Sequence, residues 1–315
     1  MRILEYSKSS GIRGGIEIFV ERQARRLRDK SHHVEIAASP EELAKALASS
    51  QWDRVIVHKF GSPQVLETVP ADKATLYVHD HDPICPRSYA YTPLMRNCTR
   101  SSGFFPCIFC APLCRNWKRA MDRVLAQSRL KKAMARLDRI VTLSRFMKER
   151  LAANGIPAEK ITVEPPEITL PPPQEDASIP GDIDLLFAGQ IIRGKGLQLL
   201  FRAMASMRTK RTLDIIGSGN MEAKLRILAE RLGISGRIRW HGQVRNPADW
   251  MRKARCVVVP SFWQEPFGLV AAEAAALGVP CVAFAIGGLP EAARGKAVLV
   301  PPGDIRALAA ALEKL

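Results

Sequence analysis

Aromatic side chains make up only 6% of this 315-residue chain, and no Gly-x-Gly-x-x-Gly occurs in it. No apolar run approaches the ~20 residues that a bilayer-spanning helix needs, which excludes such a helix within this sequence. Without the glycine fingerprint a dinucleotide oxidoreductase has little support. With few aromatics and no nucleic-acid motif, a net charge of +16 is the only argument for a nucleic-acid partner, and charge alone does not carry one. The opening Met-Arg-Ile-Leu-Glu lacks the long apolar core of a secretion signal, so the expectation is a cytoplasmic protein. Hydrophobic residues reach 47%, enough for two real cores and too many for a disordered chain.

Strand and helix signals alternate throughout, which predicts an α/β fold of parallel sheets with crossover helices on both faces. In the first half, strands are expected at Arg2 to Tyr6, His33 to Ala38, Arg54 to His58, Ala74 to Val78, Arg139 to Leu143 and Ile161 to Glu164, with a helix at Ile16 to Arg28. In the second half they are expected at Asp184 to Ala188, Thr212 to Ile216, Ile238 to His241, Cys256 to Pro260, Pro280 to Ala283 and Ala297 to Val300. Between the halves, Pro165-Pro166 through Pro171-Pro172-Pro173 to Pro180 can be neither helix nor central strand. The expected organisation is therefore a domain over 1–164 with an insertion at 83–116, a linker over 165–181, and a second domain over 182–315. Two such sheets facing across a cleft would place ligands at the carboxyl ends of their strands.

The richest segment is Ser261-Phe-Trp-Gln-Glu265-Pro-Phe-Gly-Leu-Val-Ala-Ala-Glu273. An apolar strand precedes it, and Pro266 is expected at the first helical position. A helix rising ~1.5 Å per residue would hold Glu265 and Glu273 roughly 12 Å apart, about the span from sugar to ribose in a nucleotide-sugar. The amides of Phe267, Gly268 and Leu269 would lie between them, where a helix start favours phosphate. The plainer reading makes Glu265 a helix-start carboxylate and Glu273 a solvated one.

Glu265-Pro-Phe-Gly ending at Glu273 resembles the Glu-x7-Glu signature of family 4, the retaining glycosyltransferases with two Rossmann-like domains (the GT-B fold). Gly14-Gly15-Ile-Glu17 resembles that family's N-terminal glycine loop, and Asp184-Leu-Leu-Phe-Ala-Gly189 followed by Lys195-Gly196 its donor-phosphate strand and loop. The resemblance implies that Glu265 contacts the transferred sugar, Glu273 the nucleotide ribose and Lys195 the diphosphate of a UDP- or GDP-linked donor, with no divalent metal in catalysis. It also implies that the first domain holds the acceptor, and that attack and departure share one face of the sugar. Where the family has Gly-Arg, this chain reads Gly189-Gln190. Arg193 is then either a substitute cation for phosphate or an exposed loop residue.

At other strand ends stand Gly217-Ser-Gly219 and Gly287-Gly288, which serve either as plain turns or as close approaches to a ligand. By the resemblance, Ala285-Ile-Gly-Gly-Leu-Pro-Glu291 is the loop near the transferred sugar and Glu291 a secondary candidate. Tyr77-Val-His79-Asp80-His81-Asp82 ends a strand, so His79 can hydrogen-bond the donor sugar or orient an acceptor hydroxyl, or be satisfied by Asp80 or Asp82. The resemblance favours His79 over His81. His58, at another strand end, reads as structural.

Gly189-Gln-Ile-Ile-Arg-Gly194-Lys195 also fits the opening of a P-loop. It fails at Gly196, where a Ser or Thr hydroxyl should meet magnesium. A sugar-nucleotide epimerase of similar architecture is a nearer rival, but would not need Glu265 and Glu273.

Of the seven cysteines, Cys85, Cys98, Cys107, Cys110 and Cys114 fall within the insertion, and Cys256 and Cys281 in apolar strands. Cys107 and Cys110 form a chelating spacing that, with Cys98 or Cys85 and Cys114, would hold a structural zinc. Free thiols are the alternative, and a reducing cytosol disfavours disulfides. Some bacterial members of the family resemble this chain in carrying such an insert. Beyond it, Arg115, Lys118, Arg119, Arg123, Arg129, Lys131, Lys132, Arg136 and Arg139 crowd one stretch. Met121, Val124, Leu125, Leu130, Met134 and Leu137 recur there at near-helical spacing, giving an amphipathic element whose cations would lie on anionic lipid or simply in solvent.

The expectation is a retaining glycosyltransferase that passes a sugar from a nucleotide-diphosphate to a saccharide or lipid-linked acceptor for cell-envelope polysaccharide, peripheral to the inner membrane face. The chain stops at Leu315, just past a helix expected at Ile305 to Lys314, without the helix that returns to the first domain in the family. A non-catalytic or inactive sugar-nucleotide binder is therefore the second expectation.

Overall fold

The chain is described from a computed structural model covering residues 1–8, 15–86, 88, 90, 97–102, 107–110, 117–174 and 179–315. It divides into two compact units, Met1–Pro165 and Pro166–Leu315, each built on a six-stranded sheet.

The first unit comprises β1 (Arg2–Ser7), β2 (His33–Ala37), β3 (Arg54–Lys59), β4 (Ala74–Val78), β5 (Arg139–Thr142) and β6 (Ile161–Val163). They pair in parallel in the order β2-β1-β3-β4-β5-β6. Successive side chains of a strand point to opposite faces, and the sequence sorts accordingly. Leu4, Tyr6, Val55, Val57, Leu76, Val78 and Ile140 fill one core. Ile3, Ile56, Tyr77 and Val141 fill the other, capped by Phe19, Ala24 and Leu27 of the helix Gly15–Asp29. One further step of the same alternation carries Glu5, His58 and His79 onto this second face, at the carboxyl ends of β1, β3 and β4.

The second unit comprises β7 (Ile183–Ala188), β8 (Leu213–Ile216), β9 (Ile238–Gly242), β10 (Ala254–Val259), β11 (Cys281–Phe284) and β12 (Ala297–Val300). Its parallel order is β12-β11-β10-β7-β8-β9. Counted from β7, this is the doubly wound order in which the winding reverses between the first and fourth strands, and ligands bind beyond the carboxyl ends at that reversal. Here it falls between β7 and β10.

The proline-rich segment packs in part against the second unit. Arg252 Nη2 donates to the Pro171 carbonyl at 2.6 Å, Lys253 Nζ to that of Ile179 at 3.3 Å, and Ile179 is buried. The segment is thus pinned to the second unit by the helix Pro247–Lys253.

The basic stretch forms the helix Trp117–Arg136, but much of its charge is engaged within the first unit. Arg123 pairs with Asp82, Arg129 with Glu67 and, beyond the helix, Arg139 with Glu164. Lys131 and Arg136 donate to backbone carbonyls of Ser102 and Val69. Leu125, expected on the apolar side, is 63% exposed. Arg115 lies outside the described residues, as does the side chain of Arg119.

Candidate functional site

At the reversal of the second sheet, the loops after β7 and β10 are locked together through backbone. Gly194's carbonyl accepts the amides of Phe262 and Trp263 at 3.1 and 3.4 Å. Gly196 has φ +78, and a Cβ there would stand 1.7 Å from the Pro260 oxygen, so only glycine lets the two loops approach this closely. That approach brings Lys195, from the turn Arg193–Lys195, onto Glu265. Lys195 Nζ donates to Glu265 Oε1 at 2.6 Å, and Ser261 Oγ donates to the same oxygen at 2.7 Å. Glu265 is 5% exposed. Burial opposes its charge, but the Lys195 ammonium and these hydrogen bonds outweigh burial and hold the carboxyl below its ordinary range. Lys195 Nζ also sits 5.4 Å from the Trp263 ring centroid, a cation–π contact. An ammonium carries three N–H donors, so binding Glu265 does not exhaust it.

The loop carrying Gly287 and Gly288 closes over this arrangement. Gly288 N–H donates to the Glu265 carbonyl at 2.7 Å. A Cβ on Gly287 would meet that carbonyl oxygen at 2.4 Å.

The helix beyond Glu265 begins later than its proline suggests: it spans Leu269–Leu277, with Gly268 at its N-cap. Gly268 adopts φ +108, a left-handed conformation that cannot belong to the helix, so Pro266 stands in the preceding turn. The ~12 Å spacing assumes one continuous helix, and the left-handed Gly268 interrupts that geometry between Glu265 and Glu273. The amides of Phe267, Gly268 and Leu269 nevertheless lead into an N-terminus without a side-chain cap. Phe267 is buried, Glu273 partly buried and Arg193 exposed. Gly189 and Gly217 pack against each other, a Cβ on Gly217 falling 1.9 Å from the Gly189 oxygen.

In the first unit, His79 stands just past β4. Its Nε2 shares a hydrogen bond with His58 Nδ1 at 3.0 Å, while the neighbouring Asp80 accepts from the Asp82 amide at 2.9 Å. The partner expected among Asp80 and Asp82 is thus His58 instead, because consecutive residues in extended chain point to opposite sides. Phe19 meets both imidazoles edge-on. Burial drives the His79 pKa down to about 4 against the pull of Glu17, and burial with His79 alongside holds His58 well below its ordinary value. Both rings are therefore neutral at pH 7.

Behind His58, Glu5 Oε2 lies 4.0 Å from His58 Nε2, with both side chains wholly buried. Burial lifts the Glu5 pKa to about 7, partly offset by Arg28. The sequence offered one signal for this residue, a lone carboxylate inside the apolar strand Arg-Ile-Leu-Glu-Tyr-Ser.

Gly15 opens the helix Gly15–Asp29, whereas Gly14 lies outside the described residues. Cys85, Cys98, Cys107 and Cys110 are not joined to one another by disulfides, and Cys114 lies outside the described residues. Among the described residues, no three His, Cys, Asp or Glu side chains come together as a metal site. No helix among them is long and apolar enough to cross a membrane.

Sequence comparison finds two matching family descriptions, "Glycosyltransferase Family 4" over residues 13–169 and "Glycosyl transferases group 1" over 182–315. Curated relatives include the D-inositol 3-phosphate glycosyltransferase of Streptomyces griseus, 45% identical over 135 residues, or 38% of this chain and 27% of the relative. The enzyme of the same name from Pseudarthrobacter chlorophenolicus is 37% identical over 188 residues, or 54% of this chain and 44% of the relative. The chain thus matches less than half the length of these relatives. Among solved structures, Anabaena HepE in complex with UDP and glucose superposes with TM-score 0.70 at 17% identity, covering 100% of this chain and 89% of HepE. WaaG, a glycosyltransferase involved in lipopolysaccharide biosynthesis, gives 0.67 at 16% identity, covering 99% of this chain and 90% of its own.

Proposed function

Because the chain belongs to family 4 of the glycosyltransferases, with the two-domain GT-B fold, we propose that it transfers a sugar from a nucleotide-diphosphate donor with retention of anomeric configuration. The observation that carries this reading is the Lys195–Glu265 pair at the reversal of the second sheet, next to the uncapped start of the helix Leu269–Leu277. Lys195 and the amides of Phe267, Gly268 and Leu269 supply positive potential for the diphosphate. As the bond to the sugar breaks, charge grows on the departing phosphate, and a fixed ammonium stabilises that charge more than the ground state. Glu265, kept ionised, accepts hydrogen bonds from sugar hydroxyls, and Glu273 takes the ribose. Gly189 and Gly217 bring backbone close to the nucleotide, and Arg193 adds a mobile charge. His79 is the first unit's hydrogen-bond partner for a hydroxyl. Since the structural relatives HepE and WaaG include a UDP complex and a lipopolysaccharide enzyme, UDP is the preferred nucleotide over GDP, and an envelope saccharide the preferred acceptor. Trp117 and Leu125, exposed beside Lys118 and Lys132 on one helix, support contact with an anionic membrane surface.

Thermal unfolding with UDP, GDP and ADP, followed by turnover of the matching sugar-nucleotides, tests the proposal. UDP should raise the midpoint in wild type and much less in Lys195→Met, and proton NMR should show the donor's anomeric configuration kept in the product. If none of the three nucleotides shifts the midpoint, the donor site is misplaced. If UDP binds and no sugar-nucleotide turns over, the chain is a binder only.

A further inference from the structure

We propose that Glu5, His58 and His79 form one proton relay, in which Glu5 acts as a positioning residue and sets, through His58, the tautomer that His79 presents beyond β4. Its bearing on sugar transfer rests on the reading of His79 given above; the relay itself does not.

A neutral imidazole has one N–H donor and one bare nitrogen acceptor. Both rings are kept neutral by burial, so the 3.0 Å contact between His58 Nδ1 and His79 Nε2 contains a single shared proton position. If His58 Nδ1 holds the proton, His79 must carry its own on Nδ1, and His58 Nε2 is a bare acceptor toward Glu5. If His79 Nε2 holds it, His79 Nδ1 is bare, and His58 Nε2–H points at Glu5. The first arrangement matches a protonated Glu5, the second an ionised one.

The two arrangements differ by one proton. Passing from the ionised to the acid form, a proton arrives on His79 Nδ1, the Nε2 proton of His79 moves to His58 Nδ1, and the Nε2 proton of His58 moves to Glu5. With the three transfers concerted, no imidazolium forms, which matters because burial penalises that species in both rings. His79 can thus take a proton from a bound hydroxyl while the carboxyl bears the change of charge.

The Glu5 carboxyl has no hydrogen-bond partner among the described residues: both its oxygens are buried and unbonded, as is His58 Nε2. A buried carboxylate of this kind is costly to retain. The 4.0 Å gap to His58 exceeds hydrogen-bond length by only about 1 Å, within reach of a carboxyl rotation. The surrounding charges are Arg28 and Glu17 from the helix above. Arg28 favours the ionised Glu5, and Glu17 faces His79 while pairing with Lys59 of β3 at 3.9 Å. On β4, Tyr77 donates to Glu164, and Asp80 lies beyond the strand end with Asp82.

Nitrogen-15 NMR of histidine-labelled full-length protein, titrated from about pH 5 to about pH 9, reads the tautomers directly. The expected result is that His58 and His79 invert together, with a midpoint near the Glu5 value of about 7. The inversion should vanish in Glu5→Gln, which cannot ionise. His79 should lose its pH dependence in His58→Asn. A single His79 tautomer across the range in wild type, or an inversion that persists in Glu5→Gln, overturns the relay. In turnover assays, the limb of the kcat profile near pH 7 should disappear in Glu5→Gln while KM for the donor stays unchanged. If the tautomers invert but His79→Ala transfers sugar as wild type does, the relay stands and the functional reading of His79 falls.

Discussion

Lys195 Nζ touches Glu265 Oε1 at 2.6 Å although the two residues are 70 positions apart in sequence. The contact exists because β7 and β10 are neighbours at the winding reversal, and because Gly196 lets the loops they feed meet backbone to backbone. Removing one partner of a buried pair leaves the other's charge uncompensated. Lys195→Met should therefore destabilise the second unit by about 3 kcal/mol, the lower end of that range, since the lysine is 22% exposed. The double variant Lys195→Met, Glu265→Leu should lose less than the sum of the single changes. Urea unfolding of the three variants checks this, and additive losses would mean the pair is not coupled.

Ser261→Ala removes one donor to Glu265 and should cost about 1.5–3 kcal/mol at neutral pH, as for a hydrogen bond to a charged group. The sign follows from a carboxyl held below its ordinary value of 4.5. Its stabilising share is present above that value and is lost as pH falls through the lower folded-state value. The gap between Ser261→Ala and wild type should narrow at acidic pH, as seen in urea midpoints at neutral and acid pH.

Gly196→Ala forces a side chain into the left-handed region with its Cβ 1.7 Å from a backbone oxygen. Because backbone cannot yield as a side chain does, the loss should exceed about 4 kcal/mol. Gly278→Ala is the control: φ is also positive, at +71, but nothing lies within 4 Å of the added carbon, so the cost should be about 1 kcal/mol. Equal melting temperatures for the two variants would contradict the loop contact.

Glu5 binds its proton more tightly folded than unfolded, with a value lifted from 4.5 to about 7. Its contribution is therefore fully favourable below the unfolded value and is lost as pH rises through the folded one, by up to about 3 kcal/mol. Glu5→Gln escapes that loss, so its stability relative to wild type should improve between pH 5 and pH 8. A constant difference across that interval would show that the fold does not raise the Glu5 pKa.

Much of this was readable from the chain itself. Apolar runs such as Cys256 to Pro260 marked the strands to within a residue or two, and alternation with helices predicted parallel sheets. The motifs singled out Glu265 and Lys195, which the fold brings into contact. What escaped depended on neighbours distant in sequence. The surroundings of Glu5 are set by His58 on β3 and His79 just past β4, and nothing near Glu5 in the chain names them. Pro266 suggested an early helix start that the left-handed Gly268 overrides. The cations of the helix Trp117–Arg136 looked free for an external partner, but Glu67, Asp82 and backbone carbonyls of the same unit claim several of them.

The adjacency of β7 and β10 also governs when the second unit can acquire its shape. The chain between them must first thread through β8 and β9, so closing this pair carries the loop entropy of a long excursion and comes late in folding. During synthesis, a nascent chain that has reached β9 still lacks the strand that covers the open side of β7. That flank stays exposed to aggregation until β10 emerges from the ribosome and docks.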